Sequence, residues 1–197
     1  MSTAGRRSES HEGATPAHRT PGLLLGPFYP VASAKGAAAS DLWREDAPPP
    51  DGARRMRLVG RVVDARGHPA VGALVEIWHA DPYGRYPHPS APDHEHVAPG
   101  FTGYGCMRSN GRGRFAFRSL VPEAYVAGGV RRAPHVHVQV TANSDRLVTQ
   151  MFLPRHPLNG EDRWYRMVAR PESLTADVMH DDADVLELAW TIVLAHG

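Results

Sequence analysis

The stretch LVGRVVDARGHPAVGALVEIW, residues 58–78, decides the fold class of this chain. Its first part, Leu58 to Asp64, is rich in β-branched residues and ends at a turn cluster, Ala65 to Pro69. Its last part, Ala73 to Trp78, is again short and β-rich. Two such runs bounded by turn residues predict consecutive strands.

The same pattern recurs along the rest of the chain. Strands are also predicted at 113–117, 135–140, 147–152 and 185–194, and a short helix at 171–180, with Pro171 near its start. Residues 80–104 read as one long loop, dense in Pro, Gly, His and Tyr. Short strands with long loops predict an all-β fold, a β-sandwich of mixed or antiparallel strands with long active-site loops.

Two segments of different character precede the first strand. Residues 1–19 are polar and charged, which predicts a disordered tail. Residues 20–30, TPGLLLGPFYP, are apolar but broken by Pro and Gly, so we expect an extended N-terminal arm and no helix. The length of the chain predicts a single domain over 20–197.

Charge and cysteine content exclude several classes of protein. The formal net charge is +1, from 22 basic and 21 acidic residues, so neither nucleic acid nor a membrane surface is expected as a partner. Cys106 is the sole cysteine, which excludes an internal disulfide and a cysteine-based zinc site. No apolar stretch follows Arg6-Arg7, and none is long enough to span a membrane, so a cytoplasmic location is predicted.

The chain is rich in histidine, with 12, and histidine is a common metal ligand. The segment that suggests a metal site is Arg132-Ala133-Pro134-His135-Val136-His137. In a strand, residues i and i+2 face the same side, so His135 and His137 project together and are spaced to hold one metal. An isolated His-x-His on a strand is more often a half-exposed pair with no ligand. The motif alone is therefore a weak signal.

Tyrosines add a second class of donor. Tyr86 follows the predicted strand that ends at Trp78, and Tyr125 lies ten residues before His135. A bound cation can ionise a phenol, and hard phenolate oxygen favours Fe(III). Residue types alone do not select these two tyrosines from the others, which are Tyr29, Tyr83, Tyr104 and Tyr165.

Over residues 20–155 the chain resembles the intradiol ring-cleavage dioxygenases of the protocatechuate 3,4-dioxygenase type. The similarity rests on several motifs in the family's order: Gly26-Pro27-Phe28-Tyr29, Gly60-Arg61-Val62-Val63-Asp64, Val75-Glu76-Ile77-Trp78-His79-Ala80-Asp81, Gly84-Arg85-Tyr86, Arg132 with His135-Val136-His137, and Leu147-Val148-Thr149-Gln150.

This resemblance implies a non-haem Fe(III) enzyme that cleaves a catecholic ring with O₂ to a cis,cis-muconate-type diacid, without an organic cofactor. The implied metal ligands are Tyr86, Tyr125, His135 and His137. The implied catalytic groups are Arg132, Tyr125 as the ligand that leaves and accepts a substrate proton, and Gln150. A homo-oligomer or a subunit of a hetero-oligomer is the implied assembly.

The chain departs from the family's pattern at two places. Val126-Ala127 follows Tyr125 where protocatechuate-type members usually carry Pro-Trp, and the segment from Tyr125 to His135 is shorter. Only about 55 residues precede the first predicted strand, so the helical N-terminal domain of the catechol and hydroxyquinol members is not expected here. The substrate therefore stays open among protocatechuate, hydroxyquinol, substituted catechols and larger biosynthetic catechols.

Other interpretations of the same residues stay open. His94-Glu95-His96, near His88, is a second His-x-His, but loop histidines of this kind are more often solvated. Arg132 suits a structural ion pair, Gln150 a sheet-edge hydrogen bond and Cys106 a buried, inert thiol. At the level of class, the alternatives are a cupin-type metalloenzyme, a non-catalytic transthyretin-like binding module and a partner subunit without metal.

Overall fold

The computed structural model describes residues 18–31, 39–44, 46–142 and 145–196. Within them lie ten strands and one short α-helix: β1 (Arg55–Val63), β2 (Leu74–His79), β3 (Tyr104–Arg108), β4 (Arg114–Leu120), β5 (Tyr125–Ala127), β6 (Val130–Arg132), β7 (His135–Ala142), β8 (Asp145–Phe152), α1 (Arg163–Arg166), β9 (Asp177–Asp181) and β10 (Val185–Val193). Short 3₁₀ turns cover His94–His96, Pro157–Gly160 and Pro171–Leu174.

Eight strands form two four-stranded sheets, in the orders β4-β1-β10-β9 and β3-β2-β7-β8. Strands β1 and β10 run parallel, and the other pairs are antiparallel. One hydrophobic core joins the sheets, with Leu58 and Leu188 from the first and Val75 and Val138 from the second. The predicted all-β sandwich is confirmed.

The second sheet separates core from site by the alternation of its strands. Ile77 and Val138 face the shared core, whereas Trp78 and His137, one residue before or after them, face the opposite side. In this register Trp78 pairs with His137, and His137 pairs with Gln150 of β8. The outer face of this sheet therefore carries a polar and aromatic row across three strands.

The N-terminal arm lies along the edge strand β8. The amide of Leu23 donates to the carbonyl of Val148 at 2.8 Å, and Thr149 Oγ1 donates to the carbonyl of Pro21 at 2.7 Å. No regular element is assigned to residues 18–26. The extended arm is therefore confirmed, and it covers an edge that would otherwise expose unpaired backbone groups. Apart from His18 and Arg19, the predicted disordered tail lies outside the described residues.

The predicted helix over 171–180 is wrong. Pro171–Leu174 form a 3₁₀ turn, and Asp177–Asp181 form β9, which pairs antiparallel with β10. Burial alternates here, since Ala176 is buried and Val178 packs on the core while Asp177 and Met179 are exposed. This period of two suits an edge strand, and pairing with β10 overrides the local helix signal. The sequence also did not predict β3, β5 and β6, which are short.

Among the described residues, no helix is long and apolar enough to cross a membrane. The cytoplasmic location and the domain boundary at residue 20 stay predictions.

Candidate metal centre

Two histidines of β7 form the base of the site. His135 and His137 are both buried, and their Nε2 atoms lie 3.1 Å apart. His135 Nδ1 lies 2.6 Å from the carbonyl oxygen of Ala133, which places a proton on Nδ1 and a lone pair on Nε2. Burial holds the pKa of both imidazoles well below the ordinary value, so both rings are neutral at pH 7 and able to bind a cation.

Aromatic packing fixes the orientation of these rings. The indole of Trp78 stacks on His137 with centroids 5.0 Å apart and planes 6° from parallel, and Phe152 lies 5.5 Å from His135. Gly26 of the arm, with φ 78°, approaches so closely that a Cβ there would lie 2.7 Å from His137 Cε1. The arm therefore closes one side of the pair, and only glycine fits at this position.

Tyr86 reaches the site from the loop after β2. The buried carboxylate of Asp81 shapes that loop, because Oδ1 accepts from the amides of Tyr83 and Arg85 and Oδ2 accepts from the amide of Ala98, at 2.8–2.9 Å. Tyr86 is 2 % exposed, and its hydroxyl has no hydrogen-bond partner among the described residues. An unsatisfied buried hydroxyl is costly, which indicates that this oxygen has a further partner in the working protein.

Tyr125 arrives from the β5–β6 hairpin. Its hydroxyl lies 3.3 Å from His135 Nε2, and its ring meets that of Tyr86 edge-on at 5.0 Å. The segment before Tyr125 contacts the loop that carries Tyr86, because the amide of Glu123 donates to the carbonyl of Asp81 at 3.1 Å. At Gly84, φ is 76° and a Cβ would lie 2.3 Å from the carbonyl oxygen of Ala124.

Burial raises the pKa of both phenols above the ordinary value. For Tyr86, the neighbouring Tyr125 adds to this rise; for Tyr125, the positive charge of Arg132 opposes it. Both side chains are therefore protonated unless a strong positive charge enters between them.

Arg132 and Gln150 lie beside the four donors. Arg132 Nη2 donates to Gln150 Oε1 at 2.7 Å, and Gln150 Nε2 donates to the carbonyl of Leu24 in the arm at 3.1 Å. Arg132 also pairs through Nε with Asp162 Oδ2 at 2.8 Å, and both side chains are buried. Sequence reasoning missed Asp162, since its place before a short helix is readable as an N-cap but its pairing with Arg132 is not.

The donor set fits a metal ion. Two imidazole nitrogens and two phenol oxygens converge from β7, the loop after β2 and β5, and the Tyr86 oxygen lacks any other partner among the residues described. If two nitrogens each bind one metal at about 2.1 Å, with an angle of roughly 90° at the metal, they lie about 3 Å apart. The Nε2 atoms of His135 and His137 lie 3.1 Å apart. The structure therefore brings Tyr86, Tyr125, His135 and His137 together, with Arg132 and Gln150 beside them.

The other histidines considered in the sequence lie outside this cluster. His94 and His96 sit in a 3₁₀ turn with no buried residue, and His94 Nδ1 lies 3.1 Å from the carbonyl of Ala91. His79 is buried but hydrogen-bonds to Ser119 Oγ and the carbonyl of Ala80. No group of three or more His, Cys, Asp or Glu residues suited to a metal occurs in the described ranges. Cys106 is partly exposed, against the expectation of a buried thiol.

Comparison with known proteins agrees with this geometry. A family model described as Dioxygenase matches residues 25–196. The beta chain of protocatechuate 3,4-dioxygenase from Burkholderia cepacia is 35% identical over 113 residues, covering 55% of this chain and 48% of that protein. Catechol 1,2-dioxygenase 1 from Acinetobacter lwoffii is 30% identical over 179 residues, covering 82% and 53%. The chain spans about half the length of these two relatives.

Solved structures share the fold. Catechol 1,2-dioxygenase from Acinetobacter sp. ADP1 superposes with a TM-score of 0.69 at 23% identity, covering 90% of this chain and 63% of that one. The dioxygenase domain of a carbohydrate-binding fusion protein from Streptomyces sp. SirexAA-E gives 0.68 at 23% identity, covering 91% and 100%. The family match decides against the cupin and transthyretin-like alternatives, and the chain belongs to the intradiol ring-cleavage dioxygenase family.

Proposed function

We propose that this protein is a non-haem Fe(III) dioxygenase that cleaves a catecholic ring between its hydroxylated carbons and places both atoms of O₂ in a cis,cis-muconate-type diacid. The convergence of two buried phenols and two neutral imidazoles in one cluster carries this proposal. Relatives named catechol 1,2-dioxygenase and protocatechuate 3,4-dioxygenase support the catechol class of substrate.

The proposed ligands are Tyr86, Tyr125, His135 and His137. Because burial opposes ionisation of both phenols, only a strongly charged ion with affinity for hard oxygen would keep them as phenolates, which favours Fe(III) over a divalent metal. When bound, a ferric ion would supply that charge and the redox-active centre that makes a catechol reactive toward O₂.

The surrounding side chains have separate roles in this proposal. Tyr86, in the loop that Asp81 holds, would stay in place. Tyr125 lies on a three-residue strand next to the exposed Val126, and as a phenolate it would accept a substrate proton at its oxygen. The Arg132 guanidinium places positive charge beside Tyr125, where negative charge would build up on the substrate ring. Gln150 fixes that guanidinium through Nη2. The arm and Phe28 exclude water from the tyrosine pair.

The test is reconstitution of the purified protein with Fe(III). We expect a burgundy protein with a broad visible band from phenolate-to-iron charge transfer, which shifts when a catechol is added without O₂. Turnover of a panel of catechols, with identification of the ring-opened product, then defines the substrate. Tyr86→Phe and Tyr125→Phe should each lower iron affinity by more than about tenfold.

The control is Tyr83→Phe, in the same loop but 48% exposed and packed on Arg85, which should keep the band. A colourless protein after reconstitution that turns over no catechol would contradict the proposal. That result would favour the second candidate, a partner subunit without metal. One relative is named a beta chain, which indicates that it belongs to an assembly of different chains. An oligomeric assembly and a role in aromatic catabolism in the cytoplasm belong to the same proposal.

A further inference from the structure

Asp162 holds the guanidinium of Arg132 from behind the site. Its Oδ2 accepts from Arg132 Nε at 2.8 Å and from the amide of Ala133 at 3.0 Å. The Arg132 side chain is 7% exposed and the Asp162 side chain 0%. Because a buried charge pair is stable only with good geometry and full hydrogen bonding, this arrangement is tightly defined.

The second carboxylate oxygen of Asp162 is also occupied. Oδ1 accepts from the amides of Trp164 at 2.9 Å and Tyr165 at 3.4 Å, so Asp162 is the N-cap of α1. The ring of Tyr165 meets Phe152 edge-on at 5.0 Å, and Phe152 lies beside His135. Four donors and this packing leave the carboxylate no freedom to rotate.

Arg132 is consequently held at two of its three nitrogens. Nε is fixed by Asp162 and Nη2 by Gln150, while Nη1 has no hydrogen-bond partner among the residues that the structure describes. The β5–β6 register places Arg132 directly opposite Tyr125. A guanidinium fixed in this way presents one donor group in one direction.

We infer that Asp162 is a positioning residue, which orients Arg132 so that Nη1 meets the substrate during ring cleavage. This inference rests on the proposed function and extends it beyond the residues that touch substrate. Without the carboxylate, Arg132 would keep its charge but lose its fixed direction, and small errors in position strongly reduce rates. A helix-capping role of Asp162 in folding would not make the effect depend on Arg132.

The test is a double-mutant cycle in the iron-loaded protein. Asp162→Asn should lower kcat/KM for the best catechol by about tenfold to a hundredfold, while iron content and the visible band stay unchanged because the four ligands are intact. In an Arg132→Ala background the same substitution should change kcat/KM by less than about twofold. Losses that multiply, or an Asp162→Asn protein as active as the wild type, would overturn the inference.

Two further measurements test the inference if Asp162→Asn folds poorly, and test it without the metal. Asp162→Ser keeps a helix cap and leaves space for formate, whose carboxylate can replace that of Asp162 beside Arg132. Added formate should therefore raise the kcat/KM of Asp162→Ser. It should not raise the kcat/KM of Asp162→Ser/Arg132→Ala. No rise in either protein counts against the inference. In the metal-free protein, one arginine Nε–H should exchange slowly with solvent and become fast in Asp162→Asn. Failure of the proposed function itself is distinct, because the wild type would then show no band and no turnover.

Discussion

The imidazole of His137 lies flat against the indole of Trp78, with centroids 5.0 Å apart and planes 6° from parallel. The two residues pair across β2 and β7, and the ring of Tyr29 from the arm meets Trp78 edge-on at 4.8 Å. Trp78 is therefore a wall of the site that orients a proposed ligand, and it has 0% exposure.

Trp78→Ala should destabilise the metal-free protein by about 3–5 kcal/mol, because it leaves a large buried cavity beside His137. Urea unfolding measures this loss, and a titration with Fe(III) should show weaker binding. Trp164→Ala is the control, since Trp164 is partly exposed and packs on Arg163, so it should cost less than about 1 kcal/mol. Equal losses in the two variants would contradict this account of Trp78.

Gly84→Ala should displace Tyr125 as well as strain the backbone. Gly84 has φ 76°, and a Cβ would lie 2.3 Å from the carbonyl oxygen of Ala124. Gly72→Ala is a matched control, because φ there is 73° and nothing lies within 4 Å. We expect Gly84→Ala to be about 1–3 kcal/mol less stable than Gly72→Ala by urea unfolding, and to weaken the visible band. If both variants unfold alike, the close approach has no energetic consequence.

Asp81→Asn tests whether this carboxylate sets the position of Tyr86. Asp81 Oδ1 accepts from backbone amides two and four residues ahead, and Asp64 does the same for Arg66 and His68 in an exposed turn. Asp81 also holds Ala98 and is fully buried, so Asp81→Asn should cost about 1.5–3 kcal/mol and reduce iron binding. Asp64→Asn should leave iron binding unchanged, and a similar loss there would point to a general turn effect.

His79 should make stability depend on pH. Burial lowers the pKa of His79 to about 4, against an ordinary value of 6.5, so the unfolded chain binds a proton more readily than the folded one. The stabilisation is complete above pH 6.5 and is lost as pH falls from 6.5 toward 4. The free energy of unfolding should therefore fall by a few kcal/mol, on the order of 1.4 kcal/mol per pH unit.

His135 and His137 act in the same direction in the metal-free protein, so the measurement must isolate His79. In His79→Gln, the unfolding free energy should change less steeply between pH 6 and 4.5. The slope should be smaller by about 1.4 kcal/mol per pH unit, which corresponds to one bound proton. Urea unfolding at a series of pH values provides both slopes. Identical slopes would show that His79 does not carry a depressed pKa.

Part of the fold and site could be predicted because the signals are local. Alternation with period two indicated the strands and placed His135 and His137 on one face, and turn residues marked the ends of β1 and β2. The helix predicted over 171–180 was wrong because Pro171 starts only a 3₁₀ turn and β10 supplies a pairing edge that no local pattern reveals. Asp162 was missed for the same reason, since its partner Arg132 lies 30 residues away.

The sequence by itself determined the class of fold and the kinds of donor available, because hydrophobic period and side-chain chemistry belong to each segment alone. Only the tertiary structure decided that Tyr86 and Tyr125 meet the histidine pair and that Trp78, His137 and Gln150 form one row. The register of the strands and the conformation of the loops determine which of these side chains come into contact. Both depend on contacts between distant residues, such as the Asp81 carbonyl with the Glu123 amide.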